Sequence, residues 1–328
     1  MAVHYKIEKN TVQETLIIPL YARKMCSELY PDLYRDEAPP SCGRKTVLPL
    51  KVPAGDFIAP QTRSYQIDWE VYRRQGMTIH EYGKSNAKTV VLVHPSVVMW
   101  DFFEYLIPLL EKDCHVIIPA LPGYDENDSQ QNFTSVENIA GELAEWFVKN
   151  KITTIDVLYG CSMGGSIVLR MLADKKITVN NTICDGGITP YQIPWLLTRF
   201  IAVKDFLLIS MGKTGGFSLL EKVFATDEYS KEDLEYMAKV FRFISYKTIW
   251  RTFESCNNYR MPEGTIEYLG KLEYWYGDKE RKERAKDLAY VKEHFLHVKF
   301  IEMKNMGHAS MATLYPENMA ERIMNLAK

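Results

Sequence analysis

The stretch Ile155-Asp-Val-Leu-Tyr-Gly160-Cys161-Ser162-Met163-Gly164-Gly165-Ser166-Ile167-Val168-Leu169 decides how the rest of this chain is read. An apolar run with strand character ends in Gly-Cys-Ser-Met-Gly and passes straight into an apolar helical pattern, Met163–Ala173. A serine at the apex of so sharp a strand-to-helix turn sits in strained backbone geometry. Side chains on either side of it would clash where strand and helix approach, and Gly160 and Gly164 remove them. The turn lifts Ser162 above the sheet and aims the amides of the next helix at whatever binds there. This is the G-x-S-x-G nucleophile elbow in the context the motif requires, so Ser162 is the candidate nucleophile. Cys161 holds the variable second position and reads as small buried filler.

Outward from the elbow, short apolar strands alternate with helical patterns. Strands are expected at Met77–Tyr82, Thr89–His94, His115–Ala120, Ile155–Tyr159 and Thr182–Asp185, with helices at Met99–Glu111, Ser135–Lys149 and Met163–Ala173. Near-continuous apolar strands separated by helices specify a mostly parallel sheet covered on both faces. From Pro190 to Tyr259 strand signals vanish and large apolar residues sit among helix formers. The alternation then resumes with a strand at Lys271–Tyr276, a helix at Glu280–Phe295, a strand at Val298–Met303 and a closing helix at Pro316–Ala327. The expected organisation is therefore an N-terminal helical segment and linker over 1–75, an α/β core over 76–189 and 260–328, and a helical insertion over 190–259.

Bulk composition narrows the function classes. The 328 residues carry a formal net charge of −2, which gives no electrostatic reason to expect nucleic acid or an anionic membrane surface. The six cysteines are scattered without C-x-x-C pairs, so neither metal-ligand spacing nor a disulfide framework is expected. The N-terminus has no apolar signal-like region and no apolar run reaches spanning length, so a cytoplasmic protein without a membrane span is expected.

From Met77 to Lys328 the chain resembles the α/β-hydrolase superfamily, and the order of its motifs agrees with that family's order of nucleophile, acid and histidine. The resemblance implies a catalytic histidine in the loop after the last strand, where Gly307-His308 stands. Imidazole suits the task because its pKa lies near working pH. It implies an acid after the penultimate strand, where Gly277-Asp278-Lys279-Glu280 follows Tyr276; Asp278 is expected to orient His308. Glu280 reads instead as the start of the next helix, where a carboxylate complements the dipole. Asp185 is the alternative, since some family members use an acid after that earlier strand.

The loop His94-Pro95-Ser96-Val97-Val98-Met99 resembles the family's oxyanion loop, with Pro95 in place of the usual glycine. Proline has no N–H to offer. The amide of Ser96 is therefore the expected donor, with Val97 second, alongside the amide of Met163. His94 is expected to organise the loop by hydrogen bonds. The 190–259 insertion falls where the family places a cap, and Trp100 and Trp195 are the candidate substrate-pocket residues. The implied activity is a serine hydrolase that cleaves an ester or amide of a small, partly apolar molecule through an acyl-enzyme, with no metal or organic cofactor. A ligand-binding or sensing protein on the same scaffold is the alternative, favoured by Pro95. Glu14–Tyr30 weakly resembles the leading helix of leucine carboxyl methyltransferase-like proteins, but no Gly-rich loop follows to hold S-adenosylmethionine.

Overall fold

The computed structural model of the chain describes residues 77–128, 130–190, 195–224 and 231–328. The amphipathic stretch Glu14–Tyr30 and the linker that follows it lie outside the described residues.

Seven strands form one sheet: β1 (Thr78–Tyr82), β2 (Lys88–Val93), β3 (Cys114–Ala120), β4 (Thr154–Cys161), β5 (Thr178–Asp185), β6 (Lys271–Gly277) and β7 (Lys299–Met303). Their spatial order is β1-β3-β2-β4-β5-β6-β7; β1 runs antiparallel to β3, and the other neighbours are parallel. The helices are α1 (Ile107–Leu110), α2 (Val136–Lys149), α3 (Met163–Asp174), α4 (Trp195–Phe224), α5 (Lys231–Phe243), α6 (Tyr246–Asn258), α7 (Ala285–His294), α8 (Ser310–Leu314) and α9 (Pro316–Leu326).

The sheet is buried on both faces, and the two faces separate by the strand period of two. Val91, Val93, Leu158, Cys184 and Tyr274 pack into a cluster with Leu143 of α2 and Ile167 of α3. Their neighbours Val90, Leu92, Val157, Tyr159, Ile183 and Trp275 face a second cluster with Leu110 of α1 and Ile323 of α9. This is why the strands read as unbroken apolar runs. α3 is enclosed along nearly its whole length; only Arg170 and Asp174 escape full burial.

Helix boundaries follow local chemistry. Ser135 caps α2 by accepting Asn138 N–H at 3.2 Å, and Ser245 caps α6 by accepting Thr248 N–H at 2.9 Å. The helix expected over Met99–Glu111 is instead a 3-10 turn at Trp100–Phe103 followed by the short α1. Pro108, in the first turn of α1, lacks an N–H and prevents a continuous helix. α7 starts at Ala285 rather than Glu280, because the charged run Arg281-Lys-Glu-Arg284 forms turns.

Helices α4 to α6 fill the insertion and form one compact unit with the sheet domain. α6 is bound to the loops after β3 by polar contacts. Tyr124 and Thr252 hydroxyls meet at 2.8 Å, and Val136 N–H donates to Ser255 Oγ at 2.9 Å. Phe133 N–H donates to Thr248 Oγ1 at 3.2 Å. No described helix is long and apolar enough to cross a membrane.

Candidate active site

β4 ends at Cys161 and α3 begins at Met163, so Ser162 is the whole of the turn. Its φ of 52° and ψ of −114° lie where residues other than glycine rarely sit. Two backbone bonds hold it there: Ser162 N–H donates to Asp185 O at 2.8 Å, and Ser162 O accepts Ser166 N–H at 3.2 Å. The glycine argument is met in space. A Cβ on Gly164 would lie 2.2 Å from Val93 O and 2.9 Å from His94 O, so α3 starts directly against the end of β2. One on Gly160 would lie 2.4 Å from Gly164 O.

His308 stands in the loop between β7 and α8, as the sequence leads one to expect. Its ring lies over Gly186, which follows Asp185: a Cβ on Gly186 would come 2.7 Å from His308 Cε1. Since the Asp185 carbonyl holds Ser162 N–H, Ser162 and His308 lie at the same end of the sheet. The histidine loop is locked to the turn after β6, where Lys279 N–H donates to Met306 O at 3.3 Å.

The carboxylate on the imidazole is Glu280, not Asp278. His308 Nδ1–H donates to Glu280 Oε2 at 2.7 Å, whereas Asp278 Oδ1 is buried without a hydrogen-bond partner. The cause is the 3-10 turn Asp278–Glu280, which carries residue 280 back beneath the strand end. There Glu280 Oε1 accepts Gly277 N–H at 3.2 Å. The expectation that Glu280 opens the next helix fails for the same reason. Arg284 Nε lies 3.4 Å from Glu280 Oε2, and its Nη1 lies 3.1 Å from Asp287 Oδ2. Burial opposes the charge on Glu280, but the His308 bond, the His308 charge and Arg284 outweigh it and lower its pKa.

Asp185, the alternative acid, lies deeper. Tyr159 OH donates to its Oδ2 at 2.7 Å, while its Oδ1 is buried without a partner. Burial raises its pKa to about 6 against the lowering effects of Tyr159 and His308.

Ser96 and Val97 form a tight turn after β2, and Val97 has a φ of 67°. His94 organises this loop. Its Nδ1–H donates to Pro95 O at 2.8 Å and its Nε2 accepts Leu121 N–H at 3.2 Å. Both bonds fix one neutral tautomer, and complete burial lowers its pKa to about 4. Met163 N–H is among the first-turn amides that α3 leaves without an intrahelical partner. Trp100 stacks on His80 with centroids 3.7 Å apart. Trp195 begins α4, and its side chain lies outside the described residues. Among the described residues, no cluster of three or more His, Cys, Asp or Glu side chains could hold a metal ion.

Residues 90–322 match the Alpha/beta hydrolase family over most of the chain. The chain belongs to the alpha/beta hydrolase family. No curated protein sequence matches it. Among solved structures it is similar to an alpha/beta hydrolase family protein from Desulfitobacterium hafniense, at 20% identity and a TM-score of 0.61. That match covers 76% of this chain and 100% of the other. It is also similar to an esterase from Exiguobacterium antarcticum, at 18% identity and a TM-score of 0.60 over 78% of this chain and 98% of the other. Potato epoxide hydrolase I matches at 12% identity and a TM-score of 0.58, over 78% of this chain and 97% of the other. At these identities the likeness to solved structures shows a shared fold.

Proposed function

We propose that this alpha/beta hydrolase is a serine hydrolase that cleaves an ester or amide of a small, partly apolar molecule through an acyl-enzyme. The observation that carries the reading is the strained Ser162 at the elbow, at the same end of the sheet as a His308 whose Nδ1–H is bound to Glu280. That bond leaves Nε2 as the basic nitrogen, so His308 takes the Ser162 hydroxyl proton as the oxygen attacks the substrate carbonyl. Glu280 stabilises the imidazolium that forms, and Arg284 keeps Glu280 charged. The amides of Ser96 and Met163 receive the developing oxyanion. Collapse of the tetrahedral adduct breaks the carbonyl–leaving-group bond, and the imidazolium returns its proton to the departing alcohol or amine. Water, deprotonated by His308, then releases the acid and restores Ser162.

Phe206 and Ile209 of α4, Met237 of α5 and the loop residues Val97 and Trp100 each pack against the same core cluster, which supports an apolar environment for part of the substrate. Short-chain p-nitrophenyl esters test the reading. The wild type is expected to turn them over, and Ser162→Ala to lose on the order of 10³-fold or more in kcat. Equal rates in the two proteins would overturn the assignment.

A further inference from the structure

The loop that carries Ser96 is held in a costly shape. Val97 is β-branched and sits at a φ of 67°, where such residues are outliers. Nothing in the sequence of the loop itself favours that conformation, so its surroundings must impose it. At one end His94 ties Pro95 O and Leu121 N–H. At the other end the tie comes from the cap: Tyr236 OH of α5 accepts Met99 N–H at 2.9 Å and donates to Asp101 Oδ1. Met99 is 1% exposed, so its amide has no easy recourse to water if the phenol is removed. On the surface, Lys239 of the same helix also pairs with Glu126, its ammonium 2.9 Å from Oε2.

We propose that Tyr236 is a positioning residue for the oxyanion loop, so that the cap helix, by holding Met99 and Asp101, keeps the Ser96–Val97 turn in its strained, anion-ready form. This rests on the serine-hydrolase reading above. Cap and oxyanion hole are thereby one mechanical unit. Tyr236 touches no reacting atom; it acts through the loop.

The test compares kcat, KM and the rate of inactivation by a fluorophosphonate in the wild type, Tyr236→Phe, Val97→Gly and the double variant. Phosphonylation places its P=O oxygen in the oxyanion hole, so it reports the loop without needing the natural substrate. Tyr236→Phe is expected to lower kcat and the inactivation rate together by roughly 10–100-fold, less than or equal to the loss of one oxyanion donor, with KM within about threefold. Glycine at 97 removes the strain that the tether opposes. The double variant is therefore expected to recover at least about fivefold over Tyr236→Phe alone, a rescue that mere cap packing would not produce. Should Tyr236→Phe not fold, Asp101→Asn, which weakens the anchor of the phenol, is expected to show a smaller loss of the same kind.

A labelled wild type with an unaffected Tyr236→Phe, with a rise in KM alone, or with no recovery in the double variant overturns the tether while leaving the serine-hydrolase reading intact. A wild type that takes up no probe and hydrolyses no ester overturns that reading first, and the tether with it.

Discussion

Glu280 and Asp278 stand two residues apart in one turn, yet only one of them can reach His308. Sequence position alone favours the carboxylate nearest the strand end. The 3-10 turn reverses that order by bringing Glu280 back to Gly277 N–H and to His308 Nδ1 at 2.7 Å. Replacing a carboxylate that orients a catalytic imidazole commonly costs up to about 10⁴ in kcat. Glu280→Gln is accordingly expected to lower kcat on a p-nitrophenyl ester by roughly 10²–10⁴-fold, whereas Asp278→Asn stays within about threefold of the wild type. Steady-state kinetics of the two variants decide it; a larger loss in Asp278→Asn would return the role to that residue. The places of Ser162 at the elbow and of His308 after the last strand were legible from the chain because both are local patterns. Which carboxylate meets the imidazole was not, because it depends on how one turn folds back.

Elements explain why the elbow sits against the loop that follows β2. β2 and β4 are neighbours in the sheet, with Val93 paired to Gly160, so their C-terminal ends emerge side by side. Gly164 then lets α3 start against the carbonyls of Val93 and His94. A methyl at that position meets the backbone of Val93 and His94, and overpacking against atoms that cannot yield costs about 1–3 kcal/mol or more. Gly164→Ala is expected to lower stability by about 2–4 kcal/mol, read from denaturant unfolding, and to depress activity by separating Met163 N–H from the loop. Unchanged stability would show that the elbow is looser than described. The strands were readable as apolar runs because both sheet faces are buried. The segment Met99–Glu111 was misread as one helix because its apolar spacing suited a helix while Pro108 did not. Tyr236 left no sequence signal at all, since its hydrogen bond to Met99 spans 137 positions.

At the scale of the whole molecule, two buried carboxylates near His308 pull the pH dependence of folding in opposite directions. Glu280 has a lowered pKa, so its contribution is present above the ordinary carboxylate range and is lost as pH falls through its folded value. Asp185 is raised to about 6 by burial, so between its usual 3.8 and that value the native state holds a proton the unfolded chain has released. Its effect is to reduce stability as pH rises through that window. Asp185→Asn removes the effect. From pH 4 to 7 the wild type is expected to lose roughly 1–3 kcal/mol relative to the variant, by denaturant unfolding at each pH. Parallel curves would mean that Asp185 titrates normally.

The most direct measurement is the site of covalent modification: incubate the protein with a fluorophosphonate, digest it, and find by mass spectrometry which residue carries the phosphonyl group. The adduct is expected on Ser162 alone, with no labelling in Ser162→Ala and greatly slowed labelling in His308→Ala. An adduct on any other residue, or undiminished labelling of Ser162→Ala, would contradict the account.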